Sequence, residues 1–344
     1  MRTLTFTTMR VDARITYGNL QEVPNLARLA EDIGVDGIWF TEISHDPFLP
    51  AALAAEHTRR VSIGTAIAIA FTRSPTLLAY LAWDLAAQSG GRFILGLGTQ
   101  VKAHIARRFG MTWDPPAPKL REAVQAIRAV WNTWRTGVPL RFRGRFYALS
   151  LMTPFFTPAS LDTEIPIFTA GVNPPLCRVA GQVADGFAAH PFHTRAYLRD
   201  VVLPAVRTGR TKTGRDTVPF TIAATVFTAT GESAADVNRA REEARRTVAF
   251  YASTPSYRRV LAHHGWQEVG ERLSARAARG EWNAMAAEVS DEMLEAVVVS
   301  GRAEEIGTQI MDRYRGLVDR IGFYEPFVPA DSKKWRSLLD AARG

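Results

Sequence analysis

The chain has 344 residues, of which 47% are apolar and 22% charged; that balance buries a large core and excludes disordered, collagen-like and disulfide-framework proteins. A single cysteine, Cys177, excludes an internal disulfide and any multi-cysteine zinc or iron–sulfur site. The formal charge is +8, which favours anionic partners, but the basic residues are spread out, and over Arg239–Arg246 they alternate with Glu242 and Glu243 as on a solvated helix face, so no nucleic-acid partner is expected.

At the N-terminus Arg2, Arg10, Asp12 and Arg14 interrupt any signal-peptide core, and the best apolar run, Val61–Phe71, is shorter than the ~18 residues of a membrane span. A cytoplasmic protein with no membrane partner is expected. Short apolar runs then alternate with amphipathic stretches. The strand candidates are Leu4–Thr8, Gly37–Thr41, Val61–Ala66, Phe93–Leu97, Ile165–Ala170, Asp185–Ala189, Pro219–Phe227 and Asp319–Glu325. Between them lie helical patterns at Leu20–Ile33, Pro50–His57, Pro75–Gln88, Leu120–Arg135, Pro174–Val183, Thr194–Arg207, Ser233–Tyr251 and Ala303–Arg315. In the first of these, Leu26, Leu29, Ala30 and Ile33 share a face and Gly34 supplies the stop. Pro75 and Pro174 sit where the first turn of a helix tolerates proline.

Eight strands alternating with eight helices predict an α/β fold of the (β/α)8 TIM-barrel type, in one domain spanning 1–344. The length beyond a typical ~250-residue barrel predicts insertions at the C-terminal mouth, at about 136–164 and 251–293. The first contains RFRGRFYALS and reads as a β-hairpin; the second, rich in aromatics and arginine, reads as a cap and lid over the mouth. Chemistry in such a barrel sits at the C-terminal strand ends, where His, Gly and Thr gather after Glu42, Ala66, Gly98, Gly171 and His190.

Familiar motifs fail on inspection. Gly96-Leu97-Gly98 follows a strand, but Val101 stands where a dinucleotide fingerprint needs its third glycine. Gly209–Gly214 has phosphate-loop spacing with Arg215 and Asp216 in place of Lys and Ser/Thr, so it reads as a turn. His190 and His193 lack a third ligand, and no metal is expected. His57 ends a helix, where it suits the dipole. The strand–turn–helix Ile167 to Pro175 remains open: free amides at the helix start and the bare Gly171 suit a phosphate, while a plain βα turn has the same pattern.

Three stretches together resemble the bacterial luciferase-like superfamily, in its branch of coenzyme F420-dependent oxidoreductases. They are Ala30–Trp39 followed by Thr41-Glu42; Ile63–Ile67 followed by Arg73-Ser74-Pro75; and Ser89–Gly98, whose SGGRF–LGLG string is the most specific. Ala180-Gly181, Ala184-Asp185-Gly186 and Val299-Ser300-Gly301 extend the likeness over most of the chain apart from Tyr251–Met293. The resemblance implies a flavin-type ring in the barrel mouth and a non-proline cis peptide at Ala66–Ile67 pressing on one face of it. It places cofactor contacts at Gly98, Thr99 and His104, and the phosphate of the cofactor tail at Ala170, Gly171 and Val172, with His190 and His193 nearby. The family's acid–histidine pair after the second strand maps onto Glu42, but Ile43 follows it. His45 is therefore the candidate for proton exchange, with Glu42 orienting it or touching the ring.

The function this implies is hydride transfer between F420 and an organic substrate, in a homodimer by family analogy. Two alternatives remain: an FMN-dependent monooxygenase on the same fold, using reduced flavin and oxygen, and a non-catalytic basic binding protein.

Overall fold

Alternating strands and helices must bury one helix stripe and both sheet faces, and a closed ring does both. In the computed structural model, which describes residues 8–344, eight parallel strands close on themselves: β1 (Arg10–Arg14), β2 (Gly37–Phe40), β3 (Ser62–Thr65), β4 (Phe93–Gly98), β5 (Ile167–Gly171), β6 (Gly186–Ala189), β7 (Thr221–Gly231) and β8 (Arg320–Phe323). Each bonds to the next, and β8 pairs with β1 through Arg10–Arg320, Val11–Ile321 and Asp12–Gly322. Eight helices follow the strands: α1 (Val23–Ile33), α2 (Phe48–His57), α3 (Pro75–Gln88), α4 (Pro116–Thr136), α5 (Pro174–Val183), α6 (Leu203–Lys212), α7 (Ile306–Tyr314) and α8 (Ser332–Arg343). Local chemistry sets their ends. Gly34, at φ 102°, stops α1 in a left-handed cap, and Ser74 accepts the Leu77 N–H ahead of Pro75 to start α3.

Three even-numbered strands begin on the same device. Asp36, Asp185 and Asp319, each one residue before its strand, accept the N–H of Val11, Ile167 and Ile222 on the preceding strand at 2.7, 2.9 and 2.7 Å. A carboxylate on a backbone amide is a charge-assisted bond, and here it fixes the register of three strand pairs at the bottom of the barrel.

Three sequence expectations need correction. The first barrel strand is Arg10–Arg14, not Leu4–Thr8: residues 1–7 lie outside the described residues, and Thr8 is exposed coil. Charges at 10, 12 and 14 disguised the strand, because Asp12 points into the barrel and is neutralised there by Arg320, with bonds of 2.6 and 2.8 Å. The last ring helix is α8, whose Trp335, Leu338, Leu339 and Ala342 form a buried stripe among charged neighbours; the expected Ser233–Tyr251 helix forms as Ala234–Ala252 but packs at the upper end of β7. The expected Thr194–Arg207 helix is interrupted. Pro204 has no N–H to offer, and the turn before it widens into a π-helix at Leu198–Val202.

Phe142–Arg143 and Ala148–Leu149 pair antiparallel, and Glu122 of α4 pins their turn by accepting the N–H groups of Arg145, Phe146 and Tyr147 at 2.6–2.9 Å. Between β7 and α7 the chain forms helices at Ala234–Ala252, Arg258–His263, Gln267–Ala278 and Asp291–Val297. It then adds Val298–Arg302, a strand that pairs with β7 beyond the ring. No helix among the described residues is long and apolar enough to cross a membrane.

Candidate active site at the barrel mouth

Side chains alternate in and out along each strand, so the interior can be read layer by layer. Near the bottom lie Asp12 and Arg320. Above them Trp39, Ile94 and Phe168, all at most 7% exposed, form a cluster separate from the main core, and the Arg320 guanidinium lies 5.6 Å from the Trp39 ring. Glycines face this floor: a Cβ at Gly64 would meet Trp39 at 2.4 Å, and one at Gly186 would meet Phe168 at 2.5 Å. The next inward layer is Ala66, Ala170, Ala188 and Thr225, with Arg14 and Tyr324 on the remaining side. All six are partly exposed although they face the inside of a closed barrel. Small, partly exposed side chains over an aromatic floor leave an open cup at the top of the barrel.

One wall of the cup is the segment after β3. The Ala66–Ile67 peptide is cis, and Ala68–Ile69 then pairs with the end of β4. Gly98 is bare because a Cβ there would sit 2.6 Å from Ile67 Cγ1, and Gly96 because one would sit 1.7 Å from the Thr65 carbonyl oxygen. Glu42 fastens this wall. Its carboxylate accepts the Ile69 N–H at 2.7 Å and the Arg73 guanidinium at 2.9 and 3.0 Å, while Arg73 also donates to Asp46 at 2.5 Å. Burial opposes the Arg73 charge, but the bonds to Glu42 and Asp46 outweigh it and raise its pKa. Glu42, Ile67 and Gly98 thus come together. His45 does not join them: it is exposed and stacks on Tyr17, with ring centroids 4.8 Å apart. Thr99 is buried and donates to the Gln100 carbonyl at 3.1 Å, and His104 is exposed with no side-chain bond among the described residues.

Across the cup, after β6, a buried His193 (3% exposed) sits beside a partly exposed His190. The His193 Nδ1–H donates to the His190 carbonyl at 2.7 Å, which leaves Nε2 as an acceptor, buried without a partner among the described residues. His190 Nδ1 accepts the Phe192 N–H at 3.1 Å, so its proton is on Nε2 and goes to the Tyr257 hydroxyl at 3.0 Å. Burial pushes both imidazoles down, His190 to about 3 and His193 to about 4, and each is neutral. Neither ring turns a free N–H outward. Tyr257, with its own proton uncommitted and its pKa pushed up to about 12 by burial, is the donor this cluster presents.

The corner after β5 is poorer in amides than a helix start promises. Pro174 and Pro175 have none, and the N–H groups of Leu176 and Cys177 both bond to the Asn173 carbonyl. A Cβ at Gly171 would meet Leu176 Cβ at 2.6 Å, so glycine is needed there for packing against the first turn of α5. Ala170 and Gly171 remain partly exposed, and Val172 accepts the Tyr197 hydroxyl at 3.1 Å.

Sequence reading missed Arg14 and Arg73 as site residues. Arg73 carried a signal, a basic residue just before the Ser-Pro helix start and one barrel strand away from Glu42. Arg14 carried none, because its strand was misplaced.

A family model described as luciferase-like monooxygenase matches residues 1–320. Among similar proteins, an uncharacterized protein of Mycobacterium tuberculosis is 44% identical over 307 residues, 87% of this chain and 90% of that one. A 5,10-methylenetetrahydromethanopterin reductase of Archaeoglobus fulgidus is 28% identical over 92% of this chain and 93% of its own length. The solved structure of a coenzyme F420-dependent tetrahydromethanopterin reductase from Methanopyrus kandleri superposes with a TM-score of 0.76 at 20% identity, covering 98% of each chain. The chain belongs to the luciferase-like monooxygenase family, and it is an enzyme of the oxidoreductase class.

Proposed function

We propose that this luciferase-like oxidoreductase moves a hydride between coenzyme F420 and an organic substrate in the barrel mouth. The observation that carries the reading is the cup itself: an inward layer of Ala66, Ala170, Ala188 and Thr225 above Trp39 and Phe168. The kinship with reductases whose structural counterpart uses F420 supports the choice of coenzyme. When bound, the deazaflavin supplies the carbon that accepts or gives up the hydride.

The chain's own groups do the rest. Ala66, Ile67 and Gly98 would seat one face of the ring, held by the Glu42–Arg73 tie beneath Ile69, with Thr99 and His104 toward its edge. Ala170, Gly171 and Val172 would take the anionic tail, and His190, held at its carbonyl by His193, would act on it through the Tyr257 hydroxyl it orients. His45 would exchange the proton that accompanies the hydride, as an exposed imidazole at the rim can. The apolar floor keeps water from the ring.

Fluorescence titration with F420 and with FMN, each oxidised and reduced, tests this. Saturable binding of F420, tighter than FMN, is expected. No saturable F420 binding overturns the proposal, and FMN binding far tighter than F420 replaces it with the flavin monooxygenase reading.

A further inference from the structure

Arg14, at the C-terminal end of β1, points into the cup. Its guanidinium lies 4.7 Å from the Tyr324 ring centroid, and among the described residues no hydrogen-bond acceptor or carboxylate partners it; Nε is buried without a partner. The neighbouring carboxylates are committed elsewhere. Asp12 binds Arg320, and Glu325 accepts the Thr228 N–H, the Thr228 hydroxyl and Lys334 Nζ at 3.1, 2.6 and 3.2 Å. Burial lowers the Arg14 pKa, but a guanidinium stays charged in a protein. A half-buried cation without a counter-ion is costly, and an arriving anion recovers that cost.

Beside it, the hydroxyls of Tyr251 and Tyr324 meet at 2.9 Å. Whichever donates, one phenol proton of the pair is left over, and no acceptor among the described residues takes it. A fixed guanidinium and a spare hydroxyl proton, with no competing acceptor among the described residues, complement an oxyanion.

Resting on the proposed seat of the ring at β3–β4 and its tail at β5, the position of this group decides what it meets. In an eight-strand ring β1 stands opposite β5, and β8 opposite β4. Arg14 and Tyr324 therefore face the side of the cup away from the ring's seat, where a substrate enters. We propose that Arg14, Tyr324 and Tyr251 form a subsite for the carboxylate of an organic acid substrate. A guanidinium takes a carboxylate through parallel N–H bonds, and an uncharged amide of the same shape satisfies neither the charge nor the second acceptor position.

The test is a ligand-observed NMR titration of the full-length protein with benzoate and with its neutral isostere benzamide, with and without saturating F420. Benzoate is expected to bind at least about tenfold more tightly. Arg14→Gln should erase the preference, and Tyr324→Phe, which keeps the ring under the guanidinium, should weaken benzoate alone. F420 affinity should be the same in all three proteins. Equal affinity of the wild type for both probes overturns the proposal; so does an Arg14→Gln protein that keeps the preference and loses F420 instead, which would assign Arg14 to the coenzyme. Should Arg14→Gln not fold by circular dichroism, the wild-type comparison and Tyr324→Phe still decide. A protein that prefers benzoate but binds no F420 keeps this subsite and loses the coenzyme reading; the opposite pattern overturns only the subsite.

Discussion

The Glu42 carboxylate accepts Arg73 on both oxygens and the Ile69 amide on Oε2, so its loss reaches the whole wall after β3. Glu42→Gln keeps an acceptor for Ile69 and leaves Arg73 Asp46 as its one carboxylate among the described residues. It should cost about 1.5–3 kcal/mol, read from urea unfolding; a change within error would show that the tie is idle. His190 and His193 are depressed to about 3 and about 4 by burial, against an unfolded value near 6.5. The unfolded chain therefore binds protons first as pH falls. Their contribution is complete above about pH 6.5 and is lost progressively toward about pH 4 for His193 and about pH 3 for His190. Stability should fall across that window, and His190→Asn, whose side-chain oxygen can still accept the Phe192 N–H, should flatten the slope. An unchanged slope would contradict the neutral pair. Chemistry of this kind was only half legible in the sequence. Histidines and glutamate announce themselves by type, but which nitrogen carries the proton, and that Tyr257 rather than His190 turns a donor outward, follows from contacts 67 residues apart.

Among the elements, β3 and β4 lie closest where glycine permits it. A Cβ at Gly96 would land 1.7 Å from a carbonyl oxygen of the neighbouring strand, whereas one at Gly98 would press on the Ile67 side chain, which can shift. Gly96→Ala should cost at least about 3 kcal/mol and Gly98→Ala about 1–3 kcal/mol, measured by chemical unfolding; the reverse order would mean that the wall is not built as described. Seven of the eight ring strands are legible from short apolar runs, since a strand covered on both faces is mostly apolar, and even β8 keeps Ile321 and Phe323 beside its inward Arg320. The eighth, β1, is not, because Asp12 and Arg14 serve the barrel interior and break the run. α8 kept its stripe of Trp335, Leu338, Leu339 and Ala342, but it follows the last strand, where the alternation had already supplied eight helices.

For the whole molecule, closure of the ring joins residue 12 to residue 320. Asp12 and Arg320 meet inside the barrel, with side chains 9% and 1% exposed, and removing one partner strands the other charge. Asp12→Asn should destabilise by about 3–5 kcal/mol, and a loss below 1 kcal/mol would show that water reaches the pair. That the strands close was readable from their count, and that the interior is open at the top was not, because it depends on which of two alternating faces each alanine takes. The account rests on that opening. The measurement that tests it most directly is the F420 dissociation constant of Ala170→Leu beside the wild type: a larger side chain on the inward face fills the cup without touching the outer core. The account predicts a rise of at least about tenfold with an unchanged unfolding midpoint; wild-type affinity in a folded Ala170→Leu protein would contradict it.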